Sequence, residues 1–223
     1  MPSKAQPAKM PEHEATYRRL RDMVLYGGLA PGQRVTIQGL AGALDVGMTP
    51  VREAIRRLTA EGALALHDNR RVSVPELTLA QLDELAFARL AIEPQLARLA
   101  ARQAQAEAGE AAALAARLAD IDSAVDLAIE SGDVQGYLSG NAQFHFALYD
   151  AARAPILLSL TGALWLRFGP SLRVVMENGG PSGPDRHREA VAALRAGDDE
   201  GLASAVTEDI EQGLSRVRRA LGG

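Results

Sequence analysis

The stretch that decides the fold lies in the first third of the chain and reads Thr49-Pro50-Val51-Arg52-Glu53-Ala54-Ile55-Arg56-Arg57-Leu58-Thr59-Ala60-Glu61-Gly62. The spacing of Ala54, Ile55 and Leu58 predicts a helix that ends at Glu61-Gly62. Thr49 is the predicted N-cap, and Pro50 takes the first helical position, where its missing N–H costs nothing.

The segments on either side of this helix predict a small domain. Helical patterns cover residues 13–26 and 37–44, with Thr36 as the predicted cap of the second helix. Two strand-like runs follow, at 63–66 and 72–74, and the polar segment between them predicts a hairpin. Three short helices and a hairpin predict a winged helix-turn-helix at residues 13–76, preceded by a flexible leader at residues 1–12.

The rest of the chain, residues 77–223, has the pattern of long helices and no strand pattern. Gly- and Pro-containing breaks separate six predicted helices, at 78–105, 110–131, 133–153, 156–176, 185–196 and 198–221. The predicted fold class is therefore mainly α, with an N-terminal winged helix-turn-helix and a C-terminal all-α helical bundle. We expect the bundle to bind an effector and to dimerise.

Composition and charge restrict the possible functions. The net charge is −4, but Lys and Arg outnumber Asp and Glu by 11 to 8 up to residue 76 and fall short by 13 to 20 after it. This asymmetry favours a basic module that binds nucleic acid, joined to an acidic module. Because the longest apolar run has six residues and there is no cysteine, signal sequence or zinc ribbon, we expect a cytoplasmic protein without membrane contact.

Residues 14–76 resemble the DNA-binding domain of the GntR family of bacterial transcription regulators. The resemblance rests on an ordered series of motifs: Leu29-Ala30-Pro31-Gly32-Gln33-Arg34-Val35, Leu40-Ala41, residues 49–58, and Glu61-Gly62-Ala63-Leu64. It implies that Thr49 contacts phosphate or a base and that Arg52 contacts a guanine edge or the backbone. Arg56 and Arg57 are either phosphate contacts or solvated charges.

Two residues depart from the family pattern. Met48 stands where the family usually has an arginine, and it cannot make a bidentate guanine contact. Arg71 stands where the family favours glycine, at a wing tip that we expect to enter the minor groove. The predicted DNA-binding residues are Arg34, Gln38, Thr49, Arg52, Arg56, Asn69, Arg70 and Arg71.

An arginine interrupts the apolar stripe of the first long helix. Arg89 follows Leu82 and Leu85 at helical spacing, and a buried guanidinium requires an anion. Either Glu93, four residues on, supplies that anion, or Arg89 binds the carboxylate or phosphate of a small ligand. Arg167 and Arg173, on the predicted helix 156–176, either line the same cavity or lie on the surface.

Polar residues also occupy the apolar stripes of three later helices. Asn141 and His145 lie one turn apart, while His187 and Asp209 belong to two other helices. Their convergence inside a bundle would suit a divalent metal ion, and two imidazoles with two oxygens fit zinc, manganese or nickel. The alternative for each histidine is a hydrogen-bonded core residue.

Residues 78–221 are similar to the all-helical FCD effector domain of the FadR-like subgroup of the GntR family. The landmarks are Arg89-x-x-x-Glu93, Asn141-x-x-Phe144-His145, and His187 followed by Ala193-Leu194-x-x-Gly197-Asp198. The resemblance implies a metal site at Asn141, His145, His187 and Asp209. At the last position the metal-binding members have histidine, and this chain has Asp209.

The function these features predict is that of a homodimeric transcription regulator, a repressor that senses a small organic acid. Two copies of the domain on a palindromic operator bind more tightly than one, because the second contact becomes intramolecular. The alternatives are a metal-dependent enzyme that uses the bundle site and a DNA-binding dimer without an effector. The sequence offers no general base or nucleophile beside the proposed ligands, so an enzyme is the less favoured alternative.

Overall fold

The computed structural model describes residues 10–68, 71–178 and 185–222. Its elements, in chain order, are α1 (Glu12–Leu25), β1 (Arg34–Thr36), α2 (Ile37–Leu44), α3 (Met48–Ala60), β2 (Ala65–Leu66), β3 (Arg71–Ser73), α4 (Leu79–Ala106), α5 (Glu110–Ser131), α6 (Val134–Asp150), α7 (Pro155–Glu177), α8 (His187–Ala196) and α9 (Asp199–Gly222). The predicted fold class is confirmed. The predicted leader at 1–12 lies outside the described residues up to residue 9, and Glu12 already begins α1.

The N-terminal region, α1 to β3, is a three-helix unit with a small sheet. Thr36 caps α2 as predicted, because its Oγ1 accepts a hydrogen bond from the Gly39 N–H at 2.9 Å. The hairpin strands β2 and β3 pair antiparallel, and β1 adds a third strand beside β3 in the order β1-β3-β2. Strand β1 was not predicted, because a strand of three residues has too few positions to show alternation.

The start of α3 differs from its prediction. Gly47 is the N-cap and Met48 is the first helical residue, so Thr49 and Pro50 are the second and third residues of the helix. Pro50 is still tolerated there, because the first four N–H groups of a helix have no intrahelical partner. Helix α3 therefore begins one residue earlier than predicted, with the exposed Met48.

The helical region, α4 to α9, forms one apolar core. Helix α4 packs along α9, α5 packs against α6 and α8, and α8 packs against α9. Thr78 and Gln81 start α4 with a reciprocal capping box, in which Gln81 N–H binds Thr78 Oγ1 at 3.2 Å and Thr78 N–H binds Gln81 Oε1 at 3.0 Å. Among the described residues, no helix has a stretch long and apolar enough to cross a bilayer.

The two regions share an apolar contact. Helix α1 packs against α7, and Ala142, Trp165 and Leu166 of the helical region belong to the apolar cluster of the N-terminal region. The Cβ of an alanine at Gly169 would lie 3.0 Å from the Leu25 carbonyl oxygen, which shows how closely α1 and α7 approach. A displacement of α7 therefore reaches the helix that supports α3.

Candidate functional site

Helix α3 presents a cationic face to the outside of the N-terminal region. Val51, Ile55 and Leu58 are buried against the other two helices, whereas Thr49, Arg52 and Arg56 are exposed at intervals of three and four residues. This spacing puts the three exposed side chains on one side of the helix. The helix N-terminus, with its free N–H groups and positive dipole end, adds to the attraction for phosphate.

The arginines of this region divide into two groups. Within the described part of the chain, Arg34, Arg52 and Arg56 have no acidic partner within ion-pair distance, so their charges remain available to an external anion. Arg57 instead binds Glu14 of α1 at 2.8 Å, and its guanidinium carbon lies 3.6 Å from the centroid of the Tyr17 ring. Arg57 therefore holds α1 against α3, and neither sequence alternative for it, phosphate contact or solvated charge, described this packing.

The remaining predicted DNA-binding residues lie around α3. Gln38 is exposed on the second residue of α2, and Arg71 is exposed at the first residue of β3. The backbone carbonyl of Arg71 accepts a hydrogen bond from the His67 N–H at 2.9 Å, which closes the hairpin. Asn69 and Arg70, predicted at the wing tip, lie outside the described residues.

The helical region encloses a small polar cavity of about 10 Å³. Its walls come from α4, α6, α7, α9 and Asp185, which lies before α8. The polar and aromatic side chains that line it are Arg89, Tyr137, Asn141, His145, Trp165, Asp185, Asp209 and Arg216. Free space of this size is about that of one water molecule or one ion.

Three of the four predicted metal ligands lie close together beside this cavity. One ligand atom each of His145, His187 and Asp209 lies within 4.8 Å of the others, and both histidines are 1% exposed. Asn141 lines the same cavity and is 6% exposed. The structure thus brings together on one cavity side chains that lie up to 68 positions apart in the sequence.

The hydrogen bonds of His145 orient its ring. Tyr149 donates its O–H to Glu93 Oε2 at 2.8 Å, so the tyrosine oxygen accepts the proton of His145 Nδ1 at 3.0 Å. His145 Nε2 lies 3.0 Å from Asp209 Oδ2, which is an acceptor, so either a proton on Nε2 or a bound cation completes this contact.

His187 is oriented in the same way. Its Nδ1 lies 3.0 Å from Asp122 Oδ1 of α5, which fixes the proton on Nδ1, while the buried Nε2 has no hydrogen-bond partner among the described residues. A carboxylate behind an imidazole is the arrangement that orients histidine ligands in metal sites. The donor set therefore fits a divalent metal ion.

The charges around the cavity favour a cation. Burial lowers the pKa of His187, but the hydrogen bond to Asp122 and the charges of Asp209 and Asp185 outweigh it and raise that pKa. Burial raises the pKa of Asp209, but the hydrogen bond and charge of His145 and the charge of His187 outweigh it and lower that pKa well below its ordinary value. Arg216 balances Asp185 and Arg89 balances Glu93, so the charges that face the two imidazoles are those of Asp209 and Asp122.

The anion that pairs with Arg89 is the Glu93 carboxylate. Arg89 Nε and Nη2 donate to the two carboxylate oxygens of Glu93 at 2.6 and 3.1 Å, and the two side chains are 2% and 0% exposed. Burial lowers the pKa of Arg89, but the charge of Glu93 outweighs it, so the pKa is raised and the guanidinium stays charged. Arg89 Nη1 is buried without a hydrogen-bond partner in the described residues, which leaves one donor for a ligand.

Arg167 and Arg173 do not line this cavity, which corrects the hypothesis that they share it with Arg89. Arg173 donates to the carbonyl of Gly27 at 2.7 Å and binds Glu177 at 2.7 Å, so it ties α7 to the end of α1. Arg167 is exposed and faces Gly62, in the turn after α3. Both arginines therefore lie next to the N-terminal region, Arg173 at Gly27 and Arg167 at Gly62.

Several residues of the site were not predicted. Asp122, Tyr149 and Trp165 orient the histidines and Glu93, and Arg216 binds Asp185 in a pair that is 6% and 5% exposed. Asp122 was recognisable, because it lies on the stripe of Leu118 and Val125 at helical spacing. Helical periodicity could not identify Asp185, because it lies before the first residue of α8.

Comparison with known proteins supports both halves of this description. The family model "Bacterial regulatory proteins, gntR family" matches residues 12–74, and the FCD domain model matches residues 84–212. The HTH-type transcriptional regulator McbR of Escherichia coli K12 is 31% identical over 200 residues, which cover 88% of each chain. The probable D-xylose utilization operon transcriptional repressor of Paenarthrobacter nicotinovorans is 27% identical over 214 residues, covering 92% of this chain and 90% of that protein.

The tertiary structure agrees with these relationships. The solved structure of E. coli McbR/YncC matches with a TM-score of 0.84 and 28% identity, covering 95% of this chain and 99% of that one. These relatives are transcriptional regulators rather than enzymes. The chain therefore belongs to the GntR family of bacterial DNA-binding transcription regulators and carries the FCD domain of the FadR-like subgroup.

Proposed function

We propose that this regulator is a repressor that binds a palindromic operator as a homodimer and that a metal ion and a small carboxylate in the FCD cavity control that binding. In this proposal residues 13–76 are the DNA-binding domain, and residues 77–223 bind the effector and dimerise. The observation that carries the proposal is that His145, His187 and Asp209 bring one ligand atom each to within 4.8 Å of the others, beside the polar cavity. Tyr149 and Asp122 contact the Nδ1 atoms of the two rings, so a metal would bind at the Nε2 atoms, in place of the proton between His145 and Asp209.

The metal would be held by His145, His187 and Asp209, with Asn141 as the fourth donor. Two imidazole nitrogens and two oxygens suit zinc, manganese or nickel. When bound, the metal supplies positive charge that attracts an anionic ligand. Asp122 and Tyr149 keep the two imidazole rings in place from behind.

The effector must displace a group of the protein, because the cavity of about 10 Å³ is far too small for an organic acid. Asp185 is the group that we propose it displaces. Its Oδ1 accepts a hydrogen bond from Arg216, and its buried Oδ2 has no partner in the described residues. A ligand carboxylate in that place would bind Arg216 and come within reach of the free Nη1 of Arg89.

The signal would pass from the cavity to the DNA-binding domain through Glu93 and Trp165. Glu93 receives hydrogen bonds from Arg89, from Tyr149 and from Trp165 Nε1, the last at 3.2 Å. Trp165 belongs to the apolar cluster of the DNA-binding domain. A ligand that draws Arg89 or His145 out of this network would therefore shift Trp165 and with it α1, provided that the ligand binds the two arrangements with different affinity.

Two DNA-binding domains on a palindrome require a dimer, and the FCD surface has apolar side chains suited to one. Phe87 of α4 is 80% exposed and Ile156 of α7 is 77% exposed. Exposed apolar side chains mark a contact surface where they form a contiguous patch. A second copy of the chain is the partner that we propose for them.

The metal is the first part of this proposal to test. The protein is freed of metal with a chelator, and zinc, manganese and nickel are then added singly while melting temperature and metal content are measured. We expect a rise in melting temperature in the wild type that is lost in the His145→Ala/His187→Ala double variant. His13→Ala is the matched control, because His13 is exposed on α1 and far from the cavity in sequence.

The second part is the effect on DNA. Operators are selected from random duplexes, and binding to a labelled operator is followed by fluorescence anisotropy with and without metal and a panel of small carboxylates. Release of DNA by metal plus one carboxylate, absent in the double variant, supports the proposal. DNA binding that no metal or carboxylate alters contradicts it and supports a DNA-binding dimer without an effector.

A further inference from the structure

A second and much larger cavity, of about 450 Å³, lies between the DNA-binding domain and the FCD domain. The turn after α3 and the connecting segment form one wall, through Gly62, Val74 and Leu77, and α4 and α7 form the other. Its volume is in the range of small-molecule sites, roughly 300–1,000 Å³. It has no lining residue in common with the metal cavity.

The walls of this cavity are apolar, with a few polar groups. Leu85 and Ala88 of α4 and Leu164 and Leu166 of α7 line it, as do Val74 and Leu77. An apolar wall with few polar groups is the usual make-up of a site for an organic ligand. The remaining polar wall residues of α4, Gln81 and Glu84, are exposed and lie at its solvent side.

Arg167 is the cationic residue of this cavity. It has no hydrogen-bond or ion-pair partner anywhere in residues 10–68, 71–178 and 185–222, although Glu84 lines the same cavity. Gly62 allows the guanidinium to approach the turn, because a Cβ at this position would lie 2.6 Å from Arg167 Nη2. Gly62 also has a φ of +73°, a conformation that other residues rarely adopt.

We propose that this cavity is a second ligand site, for a monocarboxylate with an apolar body. The carboxylate binds the planar fork of Arg167, and the apolar part lies between α4, α7 and the connecting segment. The ligand would touch both domains at once, next to the end of the DNA-contacting helix α3. Its occupancy would therefore fix the position of that helix relative to α7.

The test uses 4-phenylbutyrate as the probe and 4-phenylbutanol as its uncharged counterpart. Isothermal titration calorimetry on the full-length protein measures binding to the wild type, Arg167→Met, and the control Arg195→Met. Arg195 is exposed on α8 and gives the same change in net charge. We expect the butyrate to bind the wild type and the control alike and to bind Arg167→Met about tenfold or more weakly, as expected for a lost charged hydrogen bond.

Two further variants locate the site. Ala88→Phe fills the cavity from α4 and should abolish binding, whereas the His145→Ala/His187→Ala variant should bind the probe as the wild type does. Circular dichroism melting shows whether Ala88→Phe is folded, and if it is not, Arg167→Met decides the matter alone. The proposal is overturned if the wild type does not bind the butyrate, if Arg167→Met binds it equally well, or if the histidine variant loses it.

Discussion

The buried Arg89–Glu93 pair gives the sharpest prediction for stability. Glu93→Gln keeps the size of the side chain but removes the charge that balances a guanidinium with only 2% exposure. Removing one partner of a buried ion pair costs about 3–5 kcal/mol, because the other charge stays buried without compensation. At about 2–4 °C per kcal/mol for a chain of this size, the melting temperature should fall by roughly 6–20 °C.

The assays are urea denaturation, for the free energy of unfolding, and thermal denaturation, for the melting temperature, both at a fixed protein concentration and followed by circular dichroism. Glu200→Gln is the matched control, since Glu200 pairs with Arg98 between α4 and α9 but is 65% exposed, and we expect a loss below about 1 kcal/mol. Replacing both buried partners, as Arg89→Met with Glu93→Leu, should recover part of the loss. If Glu93→Gln unfolds within about 1 kcal/mol of the wild type, the pair does not stabilise the fold as argued.

Three further predictions concern function. Arg52→Ala should weaken operator binding by about 1–3 kcal/mol in a titration followed by anisotropy, with Arg195→Ala as the charge control, and unchanged binding removes Arg52 from the DNA contacts. Asp185→Ala should lower the melting temperature, because it removes the carboxylate that pairs with the buried Arg216. Sodium acetate should then restore stability where sodium chloride does not. Equal effects of the two salts contradict the proposal that Asp185 occupies the position of the ligand carboxylate. Phe87→Asp should yield a monomer in analytical ultracentrifugation, and a persistent dimer excludes this face as the interface.

Local signals predicted the helices well. Thr36 caps α2 because its hydroxyl meets a nearby N–H, an interaction that spans three residues and needs no other part of the chain. The same kind of signal misplaced the start of α3, where Gly47 rather than Thr49 is the cap. Strand β1 was missed because only pairing with β3, 35 residues later, makes it a strand.

Periodicity located His145, His187, Asp209 and Arg89 on the inner faces of their helices. In the structure Arg89, His145 and Asp209 line one cavity, and His187 lies beside His145 and Asp209. Helical periodicity did not distinguish Arg167 from these four residues. Arg167 follows Trp165 on α7 by two positions, and on a helix two positions place side chains on different sides. Which side faced the cavity depended on how α7 packs.

The amino-acid sequence was sufficient to predict the helix-turn-helix with its wing, the helical bundle, and the polar side chains that face the bundle interior. Each of these features follows from interactions over a few neighbouring positions. Three-dimensional packing alone decided that Asp122 of α5 orients His187 of α8, that Tyr149 of α6 reaches Glu93 of α4, and that Asp185 pairs with Arg216 of α9. Distances between side chains on different helices depend on how whole helices stack, and no short stretch of sequence carries that information.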